Sequence, residues 1–381
     1  MKTGIIVHAP MSDLGGAELV NLHVMKVLTE MDYALTLFSD GWNSLPIVSR
    51  FGSSVENVNW EYLPASRFRP RPRFLSSYQR LSYMFARQRM IDRRFLRTKA
   101  DIIFDTFNGW DLPNTDTSNQ FVYFHEIPAL SRPVGKRRDL YYYAAERMFH
   151  VLMKKIGRVE AICNSNYTRS LLLRHYGKEA SVIHPPVNVS FFEEVGDAEP
   201  RENRLVVLAR FCEEKRLDVA LRLLGEIDST MKDVKVSLVG SVTSEVTLAK
   251  LQKISKDLGL EGHVDFVTNV DIRRVREELG RSKVVLSTMP NEPFGTAIVE
   301  GMAAGCVPLV PRTGGQYEDI MDHDLFGLSY EDETELAEKA RLVLQDDAFR
   351  LDIKRNARRR ASEFDTERFR KEMVKTISTK A

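Results

Sequence analysis

One pattern governs what this chain can fold into. Short apolar, β-rich runs alternate with stretches of helical spacing, and the alternation is laid down twice. In the first half, residues 4–8 (GIIVH), 33–38 (YALTLF), 100–104 (ADIIF), 120–124 (QFVYF) and 159–163 (VEAIC) read as strands. Residues 17–31 have helical periodicity and are entered through Gly15 and Gly16. In the second half, residues 204–208, 234–239, 264–267, 283–286 and 307–310 read as strands, with helices between them. Strands that alternate with helices specify a parallel sheet covered on both faces. The 381 residues exceed one ordinary hydrophobic core and suit two. The expected organisation is an α/β domain over 1–186, a linker over 187–203 rich in turn formers and acids, and a second α/β domain over 204–362. A charged amphipathic helix closes the chain at 363–381; it either caps the second domain or crosses back to the first.

Composition narrows the class. Hydrophobic residues at 43% and charged residues at 28% are globular, and a net charge of +2 argues against nucleic-acid binding by the chain as a whole. Cys163, Cys212 and Cys306 fit neither a disulfide framework nor a zinc site, so they are expected to be small buried residues in a reducing compartment. The first residues run straight into a strand without a signal peptide, and no run of about 18 apolar residues occurs. A cytoplasmic chain, or one on the cytoplasmic face of a membrane, is the expectation.

The segment with most chemical content is NEPFGTAIVEGMAAG, residues 291–305. It joins the strand at 283–286 to a helix starting near Gly295. Gly295 permits close approach of a ligand to the backbone, and the first N–H groups of a helix favour an anion. Glu292 lies in the loop and Glu300 on the helix, within an apolar run that reads as buried. Carboxylates accept from vicinal hydroxyls, so two at this spacing suit two sugars, such as the hexose and ribose of a nucleotide sugar. Arg210 and Lys215 follow the first strand of the second domain, where two cations can neutralise a diphosphate. Glu213 and Glu214 offer them an alternative as plain surface partners. His125 stands at the C-terminal end of a strand, where open α/β sheets place ligands, and Glu126 is beside it. Asp322-His323-Asp324 does not follow a strand and reads as a surface turn rather than a metal site. No G-x-G-x-x-G follows the first strand, which disfavours a dehydrogenase.

The E-x7-E arrangement with Phe294-Gly295 inside it, followed by EGMAAGCVPLV and Gly314-Gly315, resembles the retaining glycosyltransferases of family four. Gly15-Gly16-Ala17-Glu18, Asn164-Ser165-Asn166-Tyr167-Thr168 and the R-x4-K of Arg210 and Lys215 are similar to further motifs of that family, in the same order. The resemblance implies the GT-B fold, two Rossmann-like domains facing across a cleft that closes on the substrates. It implies a donor held by Gly15, Gly16, Arg210, Lys215, Glu292, Phe294, Gly295, Thr296 and Glu300, with His125 near the reacting sugar. It also implies transfer without a cofactor or bound metal, and without a clear protein nucleophile. Residues 254–258, 267–270 and 287–295 resemble the mannosyltransferases of asparagine-linked glycosylation, which points to GDP-mannose as donor and a lipid-linked glycan as acceptor. A UDP-sugar enzyme with a free acceptor, and a nucleotide-sugar-binding pseudoenzyme, are the alternatives.

Residues 67–99 hold ten Arg and one Lys against the single acid Asp92, with aromatics interleaved. Arg67, Arg69, Arg71, Arg73, Arg80 and Arg87 suit anionic headgroups or a lipid phosphate. The same composition is compatible with an amphipathic helix packed on its own domain. A membrane surface is the expected partner here, and nucleic acid is not.

Overall fold

The computed structural model describes residues 2–8, 15–39, 58–62, 92–93, 100–109, 119–127, 159–228, 231 and 233–380. Two compact units result: Met1–Pro185 together with Phe369–Ala381, and Pro186–Arg368.

Unit 1 is built on β1 (Lys2–Val7), β2 (Tyr33–Ser39), β3 (Asn59–Tyr62), β4 (Ile102–Asp105), β5 (Gln120–Phe124), β6 (Glu160–Cys163) and β7 (Ser181–Val182). All pairings are parallel, in the order β3-β2-β1-β4-β5-β6-β7. The chain winds outward from β1 in one direction and then from β4 in the other, so a crevice opens at their C-terminal ends. The central strands read as unbroken apolar runs because both faces are covered: Ile5, Ile6 and Val7 are all buried. Helix α1 (Gly16–Glu30) covers one face, and α2 (Asn166–Tyr176) follows β6 with Ser165 as its N-cap, accepting from the Thr168 N–H.

Unit 2 contains β8 (Glu202–Leu208), β9 (Lys235–Gly240), β10 (Val264–Thr268), β11 (Ser282–Leu286), β12 (Val307–Pro311) and β13 (Leu328–Tyr330), again all parallel, in the order β10-β9-β8-β11-β12-β13. Its crevice lies between β8 and β11. The covering helices are α3 (Val189–Glu193), α4 (Asp218–Asp228), α5 (Glu245–Asp257), α6 (Ile272–Arg281), α7 (Thr296–Ala303), α8 (Glu333–Gln345) and α9 (Asp347–Ala361).

The last helix, α10 (Thr366–Lys380), settles the question left open by its sequence. Phe369, Met373 and Ile377, one turn apart, enter the core of unit 1, each contributing about 1.5–3 kcal/mol by burial. Phe369 meets His23 of α1 edge-on, and Arg370 pairs with Glu30 at 2.6 Å.

Residues 187–203 are not a free linker. Val187, Val189 and Phe192 join a core of unit 2. Glu199 accepts from Arg350 and Lys354 of α9, both at 3.0 Å. The buried Arg201 guanidinium donates to the carbonyls of Val195, Gly196, Ala304, Leu279 and Ser282. The polar composition that suggested a linker is the composition of this fastening. Strands β3, β7 and β13 went unread as well: β3 is a polar edge strand, and the other two are three residues or fewer.

Candidate functional site

In unit 2 the loops after β8, β11 and β12 converge at the C-terminal edge of the sheet. Four hydrogen bonds stitch them together, and a fifth ties them to β13. Thr288 Oγ1 donates to the Lys215 carbonyl at 2.6 Å. Gly315 N–H donates to the Glu292 carbonyl at 2.9 Å, and Asn291 N–H to Thr313 Oγ1 at 3.0 Å. Gln316 Nε2 donates to the Met289 carbonyl at 3.0 Å, and the Tyr330 hydroxyl to the Ser287 carbonyl at 2.8 Å. The backbone can make these turns because Gly295 and Gly314 sit at φ of 103° and 85°, and Asn291 at 57°. Gly314 is also pressed against the Glu292 main chain, leaving no room for a Cβ.

On this frame, Lys215 Nζ donates to Glu292 Oε2 at 2.5 Å, both side chains being 20% exposed. Lys215 therefore pairs with Glu292, far away in sequence, and not with its neighbours Glu213 or Glu214. Arg210 is exposed at the end of β8, on the same loop. Gly295 is the N-cap of α7 and offers no side-chain cap; the Ile298 N–H closes on the Gly295 carbonyl at 2.9 Å, and the Thr296 and Ala297 N–H groups have no partner within the helix. Glu300 lies about one turn into that helix and is half-buried rather than enclosed as its apolar neighbours suggested. The Phe294 ring departs from expectation: it is buried and packs edge-on against Phe364 at 5.5 Å, so it anchors the loop and leaves only its main chain to a ligand.

Gln316 was not read from the sequence. It is fully buried, the Met289 carbonyl fixes which end of its amide donates, and the oxygen is left without a partner close to Gly295. The only signal was its place directly after Gly314-Gly315.

In unit 1 the crevice gathers a second set. His125 follows β5 and its Nε2–H donates to the Thr106 carbonyl at 2.9 Å, which leaves Nδ1 as an acceptor. Burial pushes the imidazole down to about 4, against the Thr106 hydrogen bond, so the neutral ring is the working form. The loop beneath it is held by Asn108, whose Oδ1 accepts from the His125 and Glu126 N–H groups at 2.7 and 3.2 Å. Asn164 Nδ2 donates to the His125 carbonyl at 2.7 Å. Asn108, at φ 63°, gave no sequence signal beyond its Asn-Gly pair. Gly15 and Gly16 open α1, where the Glu18 carboxylate accepts from the Gly15 N–H at 2.6 Å in a capping box.

Asp322, His323 and Asp324 form a turn with all three residues in the left-handed region, and Asp324 accepts from the Ser329 hydroxyl. Among the described residues no group of acids, His or Cys is arranged to hold a metal, and no helix is long and apolar enough to cross a membrane. Arg67, Arg69, Arg71, Arg73, Arg80 and Arg87 lie outside the described residues.

Residues 14–191 match the family described as Glycosyltransferase Family 4, and residues 190–360 match Glycosyl transferases group 1. The chain is a family-four glycosyltransferase. Its curated relatives include proteins named GDP-Man:Man(3)GlcNAc(2)-PP-Dol alpha-1,2-mannosyltransferase. The one from Dictyostelium discoideum is 26% identical over 62% of this chain and 50% of its own. The one from Homo sapiens is 27% identical over 66% of this chain and 54% of its own. The glycosyltransferase thus spans about half the length of the curated relatives it matches. Among solved structures, HepE from Anabaena in complex with UDP and glucose superposes with a TM-score of 0.72 at 17% identity, covering 98% of this chain and 99% of that one. A sucrose-phosphate synthase from Thermosynechococcus elongatus gives 0.79 at 14% identity, covering 100% and 99%. These likenesses establish the GT-B fold of the glycosyltransferase, as its own two doubly wound sheets do.

Proposed function

We propose that this glycosyltransferase moves mannose from GDP-mannose to a lipid-linked glycan, with retention at the anomeric carbon. The observation that carries the reading is the Lys215–Glu292 pair, held at the crevice of unit 2 beside the uncapped start of α7. Lys215 exchanges Glu292 for the donor diphosphate, and Arg210 adds a second cation. The released Glu292 carboxylate accepts from hexose hydroxyls, and Glu300 from the ribose. These cations and the helix N-terminus neutralise the leaving diphosphate without a bound metal. His125, neutral and presenting Nδ1, accepts from a hydroxyl at the reacting sugar. It is placed as a positioning group rather than a general base, and the departing diphosphate takes the acceptor's proton on the same face.

The names of the curated relatives support GDP-mannose and a dolichol-linked acceptor. The ten Arg among aromatics in residues 67–99 support a peripheral site on the cytoplasmic face of a membrane, where such an acceptor is presented. A UDP-sugar donor is the second reading, favoured by the UDP found on the HepE fold.

The test is a binding panel of GDP, UDP, ADP and their sugar conjugates without added metal, followed by transfer assays. Selective binding of GDP and GDP-mannose is expected, with turnover lost in Arg210→Ala, Lys215→Ala and Glu292→Ala. Selective binding of UDP species replaces the donor. Undiminished transfer in all three variants overturns the site.

A further inference from the structure

Gln316 directly follows Gly314-Gly315 and is fully buried. Its Nε2 donates to the Met289 carbonyl at 3.0 Å. A flipped amide would set oxygen against oxygen there, so Oε1 is the atom that faces the other way. Oε1 is itself buried and accepts no hydrogen bond. A carbonyl oxygen enclosed without a donor carries its full desolvation cost, which calls for a partner that arrives with a ligand. The place of Oε1 is marked by Gly295, the N-cap of α7. A Cβ on Gly295 would stand 3.4 Å from the Gln316 Cβ, 3.6 Å from Oε1 and 3.7 Å from the Glu292 Cγ. Glycine at φ 103° puts no side chain there, so the buried oxygen and Glu292 border the same point over the backbone.

Donors and acceptors meet at this point. The Thr296 and Ala297 N–H groups, without a partner within the helix, suit an anion. Oε1 only accepts, and an amide oxygen repels a phosphate oxygen, so the diphosphate itself is not its partner. The partner has to bring a hydrogen to the edge of an anion site. On a nucleotide sugar, the groups that do so are the hydroxyls of the hexose and of the ribose. The ribose is assigned to Glu300, about one turn further along α7, which leaves the hexose for Gln316.

We propose that Gln316 is a specificity-determining residue for the donor sugar: when Glu292 leaves Lys215 for the hexose, the sugar settles over Gly295 and one of its hydroxyls donates to Gln316 Oε1. The inference rests on the donor reading above and adds to it a neutral acceptor that demands a hydroxyl at one carbon of the ring. Glu292 is partly exposed and can turn to follow the sugar. The Gln316 amide cannot, because the Met289 carbonyl holds its other end inside the protein. A site built in this way rejects a sugar lacking that hydroxyl, since the buried oxygen is then left unpaired again.

The test is calorimetric binding of GDP, GDP-mannose and its monodeoxy analogues, each lacking one hexose hydroxyl. It compares the wild type with Gln316→Met, which keeps an unbranched side chain and removes the acceptor. In the wild type, the analogue lacking the hydroxyl that serves Gln316 should bind roughly tenfold more weakly than GDP-mannose, the scale of one hydrogen bond to a buried oxygen. That penalty should vanish in Gln316→Met. The penalties of the other analogues should be the same in both proteins, and GDP affinity should not move. Penalties that are all equal in the two proteins, or a Gln316→Met loss shared in full by GDP, assign Gln316 to holding the loop and overturn the proposal. If Gln316→Met does not fold, a crystal structure of the wild type with GDP-mannose decides alone. A hexose hydroxyl within hydrogen-bond distance of Oε1 upholds the proposal; a water in that place, or no hydroxyl within reach, overturns it. If the wild type selects UDP species, the same comparison is made with UDP, UDP-glucose and its monodeoxy analogues. A wild type that binds no nucleotide sugar removes the donor reading and this proposal together. A wild type that binds one, with every deoxy penalty unmoved by Gln316→Met, removes this proposal only.

Discussion

Gly314→Ala tests whether the three-loop frame holds Glu292 in place. A Cβ at this position would fall 2.6 Å from the Glu292 carbonyl oxygen and 2.8 Å from the Glu292 nitrogen. Both are main-chain atoms, so no rotamer change relieves the contact, and the loop carrying Glu292 has to move. Backbone shifts of this kind cost roughly 1–3 kcal/mol. The residue also sits at φ 85°, where a side chain adds roughly 1–2 kcal/mol. The sum, about 2–5 kcal/mol, corresponds to a fall in Tm of roughly 4–20 °C for a unit of this size. Gly259→Ala is the matched control, because Gly259 has φ +69° and nothing within 4 Å of its would-be Cβ. It carries only the conformational cost of about 1–2 kcal/mol. Thermal unfolding of both variants isolates the clash as their difference, and nucleotide-sugar affinity reports on Glu292. The larger Tm loss and a loss of donor affinity are expected for Gly314→Ala alone. Equal Tm losses, or full donor binding by Gly314→Ala, would refute it.

Two further outcomes follow from the same structure. Arg201→Met leaves the carbonyls of Val195, Gly196, Ala304, Leu279 and Ser282 without their shared donor; a stability loss of about 3 kcal/mol or more in denaturant unfolding is expected, and a loss under 1 kcal/mol would dismiss the fastening role. His125, depressed to about 4 by burial, stays neutral in the folded chain while the unfolded chain protonates near 6.5. Its contribution is therefore complete above pH 6.5 and declines as pH falls towards 4, by at most roughly 3 kcal/mol. His125→Gln should flatten the stability curve across that window, and curves that stay parallel would rule the shift out.

The local signals and the distant contacts divide cleanly in this chain. The doubly wound class was legible because strands buried on both faces must be apolar throughout: GIIV in β1 and VVL within β8 admit few other readings. The loops bearing Arg210, Lys215, Glu292 and Gly295 were legible because glycine and charge cluster after strands whose period is plain. What sequence left open depends on partners far along the chain. The destination of α10 is set by Phe369, Met373 and Ile377 meeting a core assembled mostly from the first 183 residues. The fastening of residues 187–203 needs Arg350 and Lys354 to come within reach of Glu199. Above all, the sequence showed Lys215 and Glu292 as separate candidates. Only the crossover between β8 and β11 makes them neighbours, since a hydrogen bond across 77 positions has no local signature. The same holds for Gln316, which reads as one more polar residue after a glycine pair until the fold encloses it, ties its amide to Met289 and leaves one oxygen without a partner.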